Sequence, residues 1–480
     1  MTTSPARTVA DRVAMYRKYL GDEFADYGKQ HDRIRLVEDR DKDGRADSAN
    51  VFADGFHDAA VGLGAGVLAR RGDVYYTCIP DLWLLRDDDR DGKADARTSL
   101  QHGYGVHVGF LGHDLHGLRF GPDGKLYFSI GDRGLDVATI DGRHVSCPDT
   151  GAVLRCEPDG TNLEVFASGL RNPQELSFDE YGNLFTVDNN SDSGDKARLV
   201  YVAEGGDSGW RIGYQFLKEP ASRGPWNDEK LWHLRWDGQA AYILPPLAHI
   251  SDGPSGLAYD PGVTLLPERY RRHFFLCDFR GAPAQSGVRS FAVRPRGASF
   301  EMIDAEQFLW GLEATDVDFG PDGALYVSDW VEGWRMTMKG RIVKVADPAR
   351  ADDPRVREVR RLIAEGMDPR PLVELATLLS HPDMRVRQEA QFALAGRGPG
   401  AIATLRRVTR ADSPTLARLH AIWALGQVGR KDQPAIDPVV ALLDDADAEV
   451  RAQAAKVVGD ARRTSAAGAL VRLLGDPAAR

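Results

Sequence analysis

The chain has 480 residues, more than one hydrophobic core usually serves, and its 42% apolar and 28% charged residues are those of a water-facing protein of two or more domains. A net charge of −10 leaves no surplus of Lys and Arg to displace phosphate counterions, which excludes a general nucleic-acid binder. There is no apolar run of about 18 residues, so no membrane span is expected.

The first segment, residues 1–32, is polar and weakly helical, and "MTTSPARTVADRVAMYRKYL" lacks the apolar core and cleavage site of a signal peptide. Residues 33–55, "RIRLVEDRDKDGRADSANVFADG", read as the last two strands of a four-stranded unit whose first two are missing upstream. The chain is therefore expected to open on an incomplete blade or to be a fragment of a longer product.

Two loops share one pattern: Asp39, Asp41, Asp43, Gly44 and Asp47 in "DRDKDGRAD", and Asp87, Asp89, Asp91, Gly92 and Asp95 in "DDDRDGKAD". Carboxylates at positions 1, 3 and 5 with Gly at 6 form the first half of a calcium loop, because the sharp turn aims three side chains at one hard cation. Asn50 and Thr98 stand where the bidentate Glu would be, so calcium and a plain acidic turn both remain open. Before residue 351 the chain is acidic; from there on 20 Lys and Arg face 17 Asp and Glu, a distribution that favours a cation in the first part.

A hairpin with a glycine turn then recurs: "GVLARRGDVYYTC" at Gly72, "LRFGPDGKLYFSI" at Gly124, "LSFDEYGNLFTVD" at Gly182 and "VDFGPDGALYVSD" at Gly323, with a degenerate copy in "GLAYDPGVTLLPERYRRHFFLCD". A third strand follows each, as in "GAVLRCEPDG" and "GRIVKVADP", and usually a fourth. Four strands repeating every fifty residues or so are the signature of a propeller blade. The expected fold is an all-β six-bladed propeller over 33–346, its first blade incomplete.

The stretch "QHGYGVHVGFLGHDLHG" holds His102, His107, His113 and His116 without zinc spacing. His113 precedes the innermost strand of a blade and Asp132 follows the next strand on the same side, so an imidazole held by a carboxylate, the arrangement of a general base, is expected there. Arg171, Asn172 and Gln174 stand at the entrance of the next blade, where they could fan towards one ligand or simply connect blades. "DNNSDSGDKARLVYV" adds Asp188 and Asn190 among oxygen-bearing residues that suit a cation or a solvated loop. Cys78, Cys147, Cys156 and Cys277 have no CxxC, zinc or CxxCH haem spacing; a Cys147–Cys156 staple and isolated buried thiols are both open.

Past Val345 the apolar period changes from two to 3.6. Residues 347–370 read as a linker and first helix, and 371–480 as an α-solenoid of HEAT-type repeats, with Ala390, Ala421 and Ala454 in equivalent places.

At "HDLHGLRFGPDGKLYFSIGD" and "RNPQELSFDEYGNLF" the chain resembles the soluble quinoprotein glucose/sorbosone dehydrogenases, six-bladed propellers that use pyrroloquinoline quinone (PQQ) and calcium. Over almost its whole length it resembles planctomycete-type "membrane-bound dehydrogenase domain" proteins, through "DRDKDGRAD", "HFFLCDFRGAP" and "TDVDFGPDGALYVSDWVEGW". The resemblance implies an exported or periplasmic sugar or polyol dehydrogenase. In it His113 is the base, Asp132 its partner and Arg171 a catalytic contact, while Arg171, Asn172, Gln174 and, more loosely, Arg280 bind the quinone. Electrons would pass to an external acceptor such as a cytochrome c, since this chain has no haem motif, and the repeats would dock a protein partner. The chain departs from the pattern at Glu313 and Thr315, where quinone-binding relatives carry arginines. A cofactor-less module binding carbohydrate or protein, and a lactonase-type hydrolase using Asp188 and Asn190 at a metal, are the competing expectations.

Overall fold

In the computed structural model, residues 6–108, 112–216, 224–232, 236, 243–335 and 337–480 are described. The histidine-bearing stretch therefore has a part, 109–111, outside the described residues. The chain divides into two compact units, one of Met1–Arg119, Lys125–Leu176 and Thr186–Pro254, the other of Phe120–Gly124, Ser177–Phe185 and Ser255–Arg480.

Among the described residues the β region is a propeller with five blades. Four are four-stranded sheets and the fifth, Ala314–Phe319, Leu325–Asp329 and Arg341–Val345, has three strands. The first blade runs in order through Gly64–Arg70, Asp73–Cys78, Asp81–Arg86 and Ala96–His102, all antiparallel. The glycine turns are where the hairpin grammar places them: Gly72, Gly124, Gly182 and Gly323 all have positive φ, the conformation a tight turn demands and a Cβ resists.

Two features differ from expectation. The six blades expected are not reached by the described sheets: Asp32–Glu38 and Ser48–Phe56 pair only with each other, as a two-stranded ribbon around the first acidic loop. Inside the second blade an extra hairpin, Leu135–Ala138 with His144–Cys147, is inserted between its second and third strands. Short strands of this kind carry too few alternating residues to announce themselves.

At the front, residues 6–32 hold more regular structure than the sequence promised. A helix spans Val9–Leu20, started by a capping box in which Thr8 accepts from the Asp11 N–H and Asp11 accepts from the Thr8 N–H. Val9 and Arg12 form its buried face.

After the last blade the chain is helical. Asp353, Asp383 and Asp447 each cap a helix, Pro354–Glu365, Met384–Gly396 and Ala448–Asp460, by accepting the N–H two residues on. Ala390, Ala421 and Ala454 are fully buried, the small residues that let neighbouring helices approach. Their core also takes in Val263, Leu265 and Ala324 from the last two blades. Among the described residues no helix is long and apolar enough to cross a membrane.

Candidate functional site

Three blades close their second strand on a buried aspartate, and each spends that carboxylate on holding the blade together. Asp188, at the end of Leu184–Asp188, accepts from the backbone N–H groups of Arg171 (2.9 Å) and Asn172 (2.7 Å) and pairs with Arg198. Asp329 accepts from the Glu313 N–H (2.8 Å) and from Arg341 Nε (2.6 Å), which lies directly across the sheet. Asp278 takes Arg280 Nη2 (2.9 Å) and Arg289 Nε (2.7 Å). An acid at a strand end paired with an arginine is thus the structural pattern of this propeller.

The second blade breaks it. Its second strand ends at Ile130, and the acid stands two residues later, at Asp132, beyond the Gly131 turn. Asp132 Oδ1 lies 2.8 Å from His113 Nδ1, and Oδ2 accepts from the Trp210 indole N–H at 2.8 Å. Both members of the pair are buried, His113 at 3% and Asp132 at 1% exposure, so the contact is sheltered from water. Burial is the largest influence on the Asp132 carboxyl and pushes its pKa up; the charge and hydrogen bond of His113, the charge of Arg171 and the Trp210 bond together outweigh it and hold the group below its ordinary value. With Nδ1–H given to the carboxylate, the ring is held in a single tautomer.

Gly131 is required by this geometry. A Cβ there would stand 2.7 Å from the His113 carbonyl and 2.9 Å from Asn172 Oδ1. The Asn172 side chain is itself buried, and its Oδ1 has no hydrogen-bond partner among the described residues. Arg171 donates from Nη2 to Asp192 (2.8 Å), whose side chain is 62% exposed, and its guanidinium lies 5.7 Å from the Trp210 ring centroid. Gln174 Nε2 reaches the Gly112 carbonyl at 3.3 Å. Five residues singled out from the sequence, His113, Asp132, Arg171, Asn172 and Gln174, therefore share one unit and one neighbourhood. Arg280 belongs to the other unit, where Asp278 holds it.

The other histidines have structural partners. Burial pushes the pKa of His116 down while Nε2 meets the Gly112 carbonyl at 2.7 Å, and burial likewise lowers His107. His102 is raised by its bond to Asp81. Sequence reasoning missed Trp210, which reaches Asp132 across 78 residues of chain, and Arg198. The repeated strand-end Asp with a following Arg is the signal that could have found Arg198.

Among the described residues two carboxylate groups have ligand atoms within 4.8 Å of one another: Asp39, Asp41 and Asp43, and Asp87, Asp89 and Asp95. Asp47 Oδ2 instead accepts from the Arg40 and Asp41 N–H groups, and Asp91 Oδ1 from the Lys93 N–H. Asp188 has both oxygens engaged as described and joins no such group among the described residues, and Asn190 Oδ1 accepts from the Asp192 N–H at 3.3 Å.

Fold and site together define a β-propeller with a buried His–Asp pair, followed by a helical repeat region. Residues 13–334 match the family described as "Domain of unknown function (DUF7133)", and the chain belongs to that family. Residues 371–448 match HEAT repeats. Solved structures similar to the chain include a glucose dehydrogenase, at 17% identity and a TM-score of 0.45 over 66% of this chain and 90% of that one. Others are the PQQ-bound aldose sugar dehydrogenase of Streptomyces coelicolor (20%, TM-score 0.42, 66% and 89%) and the PQQ domain of pyranose dehydrogenase from Coprinopsis cinerea (13%, 0.40, 65% and 87%). No curated protein matches the sequence.

Proposed function

We propose that this protein is a dehydrogenase of a sugar or polyol hydroxyl, with His113 as general base. The observation that carries the reading is the buried His113–Asp132 pair, set apart from the three strand-end aspartates that pair with arginine. Asp132 keeps Nδ1 protonated and the ring oriented, so that Nε2 accepts the hydroxyl proton as the C–H bond is broken.

The quinone that the family resemblance implies fits this neighbourhood in part. Asn172 Oδ1 is a buried acceptor without a partner among the described residues, and Arg171 is buried with an exposed carboxylate, Asp192, that a ligand carboxylate can displace. Arg280 fits less well, since Asp278 already neutralises it. Arg171, Asn172 and Gln174 would hold the group, which when bound supplies the two-electron acceptor. Arg171 then also steadies the negative charge that develops on reduction. An acceptor such as cytochrome c would take the electrons onward, and the periplasmic setting, the sixth blade and the planctomycete-type assignment belong to the same reading. Calcium is assigned to the two acidic loops, with Asp39, Asp41 and Asp43 in one and Asp87, Asp89 and Asp95 in the other. A protein partner is assigned to the HEAT region.

The test is reconstitution with PQQ, with and without calcium, followed by dye reduction over a panel of aldoses and polyols. Turnover lost in His113→Gln supports the assignment, and turnover unaffected by that change sinks it. Glycan binding with no change in quinone absorbance would instead favour the cofactor-less binding module.

A further inference from the structure

The residues next to the His113–Asp132 pair make a second pair of their own. Asp114 follows His113 and Arg133 follows Asp132, and Arg133 Nη1 donates to Asp114 Oδ1. The backbone joins the same two loops, with the Gly131 N–H on the Asp114 carbonyl (3.1 Å) and the His107 N–H on the Arg133 carbonyl (2.9 Å). Arg133 Nε returns to the His107 carbonyl at 3.1 Å, and Asp114 Oδ2 accepts from the Leu63 N–H at 2.6 Å. Any displacement of the Asp114–Arg133 pair therefore moves the backbone that carries His113 and Asp132.

The N-terminal helix Val9–Leu20 engages this second pair. Tyr16 Oη accepts from Arg133 Nη2 (3.3 Å) and from Arg12 Nη1 one turn earlier (3.4 Å), and Arg12 Nη2 donates to the Ala60 carbonyl at 2.7 Å. Arg12, Asp114 and Arg133 are all more than nine-tenths buried. Two buried guanidiniums thus share one hydroxyl, Tyr16 Oη, beside the carboxylate that Arg133 pairs with, an arrangement that carries a desolvation cost. Burial, and then the charge of Arg133, push the pKa of Arg12 down; Tyr16 and Asp114 oppose them. A helix serving only to cover apolar surface would not need a buried arginine aimed at another arginine's neighbour.

We propose that Tyr16 and Arg12 are positioning residues for the His113–Asp132 pair, acting through Arg133 and Asp114. The N-terminal helix then belongs to the base's support, and a change on it is felt at His113 Nδ1 without any contact between them. The catalytic consequence rests on the base role proposed above, whereas the geometric consequence does not.

The test reads the Nδ1–H proton of His113 by NMR, assigned through its loss in His113→Gln, in wild type, Tyr16→Phe and Arg12→Met. Tyr16→Phe keeps the ring and removes only the shared hydroxyl. In a folded Tyr16→Phe protein, that proton is expected to exchange with water roughly tenfold faster, the worth of one net hydrogen bond. The kcat for the best alcohol substrate should fall with KM unchanged. An unchanged resonance and exchange rate in folded Tyr16→Phe overturns the proposal, and that variant alone decides the matter if Arg12→Met does not fold. Variant-dependent exchange in a protein that oxidises no alcohol under any reconstitution would sink the dehydrogenase reading and leave the positioning role standing.

Discussion

Replacing Asp132 by Asn separates what this side chain does for stability from what it does for chemistry. The carboxylate accepts from two buried donors, His113 Nδ1 and Trp210 Nε1. The amide has one acceptor and one donor end, so it can serve Trp210 with Oδ1 only by turning Nδ2–H towards His113 Nδ1. That forces the imidazole proton onto Nε2, the position that must be free to act as base. The fold then loses charge-assisted bonds and regains neutral ones, a cost of about 1–2 kcal/mol, whereas Asp132→Ala strands two buried donors at about 1–3 kcal/mol each. Activity should fall far more, by about 10³–10⁴-fold, as happens when a histidine is held in the wrong tautomer. Long-range ¹H–¹⁵N NMR reads the tautomer directly, and thermal melts read the stability. The pH dependence adds a sign. Because the folded-state pKa of Asp132 lies below its ordinary 3.8, its stabilisation is complete above that value and is lost as pH falls through the folded value. The acid limb of the stability curve should therefore be shallower in Asp132→Asn than in wild type. A variant with Nδ1 still protonated and activity retained would refute the reasoning.

Gly182→Ala should destabilise by about 1–3 kcal/mol, from positive φ and a Cβ 2.9 Å from the Trp423 indole, and a melt unchanged within 1 °C or so would count against that packing. The cysteines should be inert in the native protein. Burial pushes the Cys78 thiol up to about 12 and Cys147 up to about 11, and raises Cys156 as well, so little thiolate exists near neutral pH. Ellman's reagent is expected to find four thiols in denaturant and almost no fast reaction without it; rapid native labelling would show the burial to be wrong.

What could be read in the sequence was what local chemistry dictates. The glycine turns were legible because positive φ is demanded by the residue itself, and the helical repeats because a buried Ala390, Ala421 or Ala454 recurs within a 3.6-residue pattern. His113, Asp132, Arg171 and Asn172 stood out as polar residues at hairpin ends. Partner choice was not legible. Only the repeat of a strand-end Asp with a following Arg points Asp188 to Arg198 rather than to a cation, and nothing near Asp132 says that Trp210 will meet it, because such contacts are set by how strands are brought together. The ribbon of Asp32–Glu38 and Ser48–Phe56 looked like half a blade for the same reason: its strands announce themselves, but their neighbours do not.

The repeated turns carry a second meaning that the pairing of helices and hairpins makes plain. A hairpin turn leaves carbonyls outside the strand ladder, and once covered they need donors. Gln388 donates to the Phe120 carbonyl (3.0 Å), Gln391 and Gln427 to that of Pro122 (2.6 and 3.0 Å), Gln453 to that of Tyr181 (3.0 Å) and Arg385 to that of Gly320 (2.7 Å). Glutamines occupy helix positions that a simple amphipathic pattern would give to Leu, because the surface they cover is backbone. Gln391 also accepts from His420 Nδ1 at 2.7 Å, which fixes its orientation, and burial drives the pKa of His420 far below its ordinary value so that no charge needs housing there. Gln391→Leu would thus take from His420 Nδ1 its bond to the glutamine and leave the Pro122 carbonyl to Gln427, although Leu matches the pattern better. Where a repeat helix faces folded backbone, side-chain polarity follows the carbonyls it must satisfy.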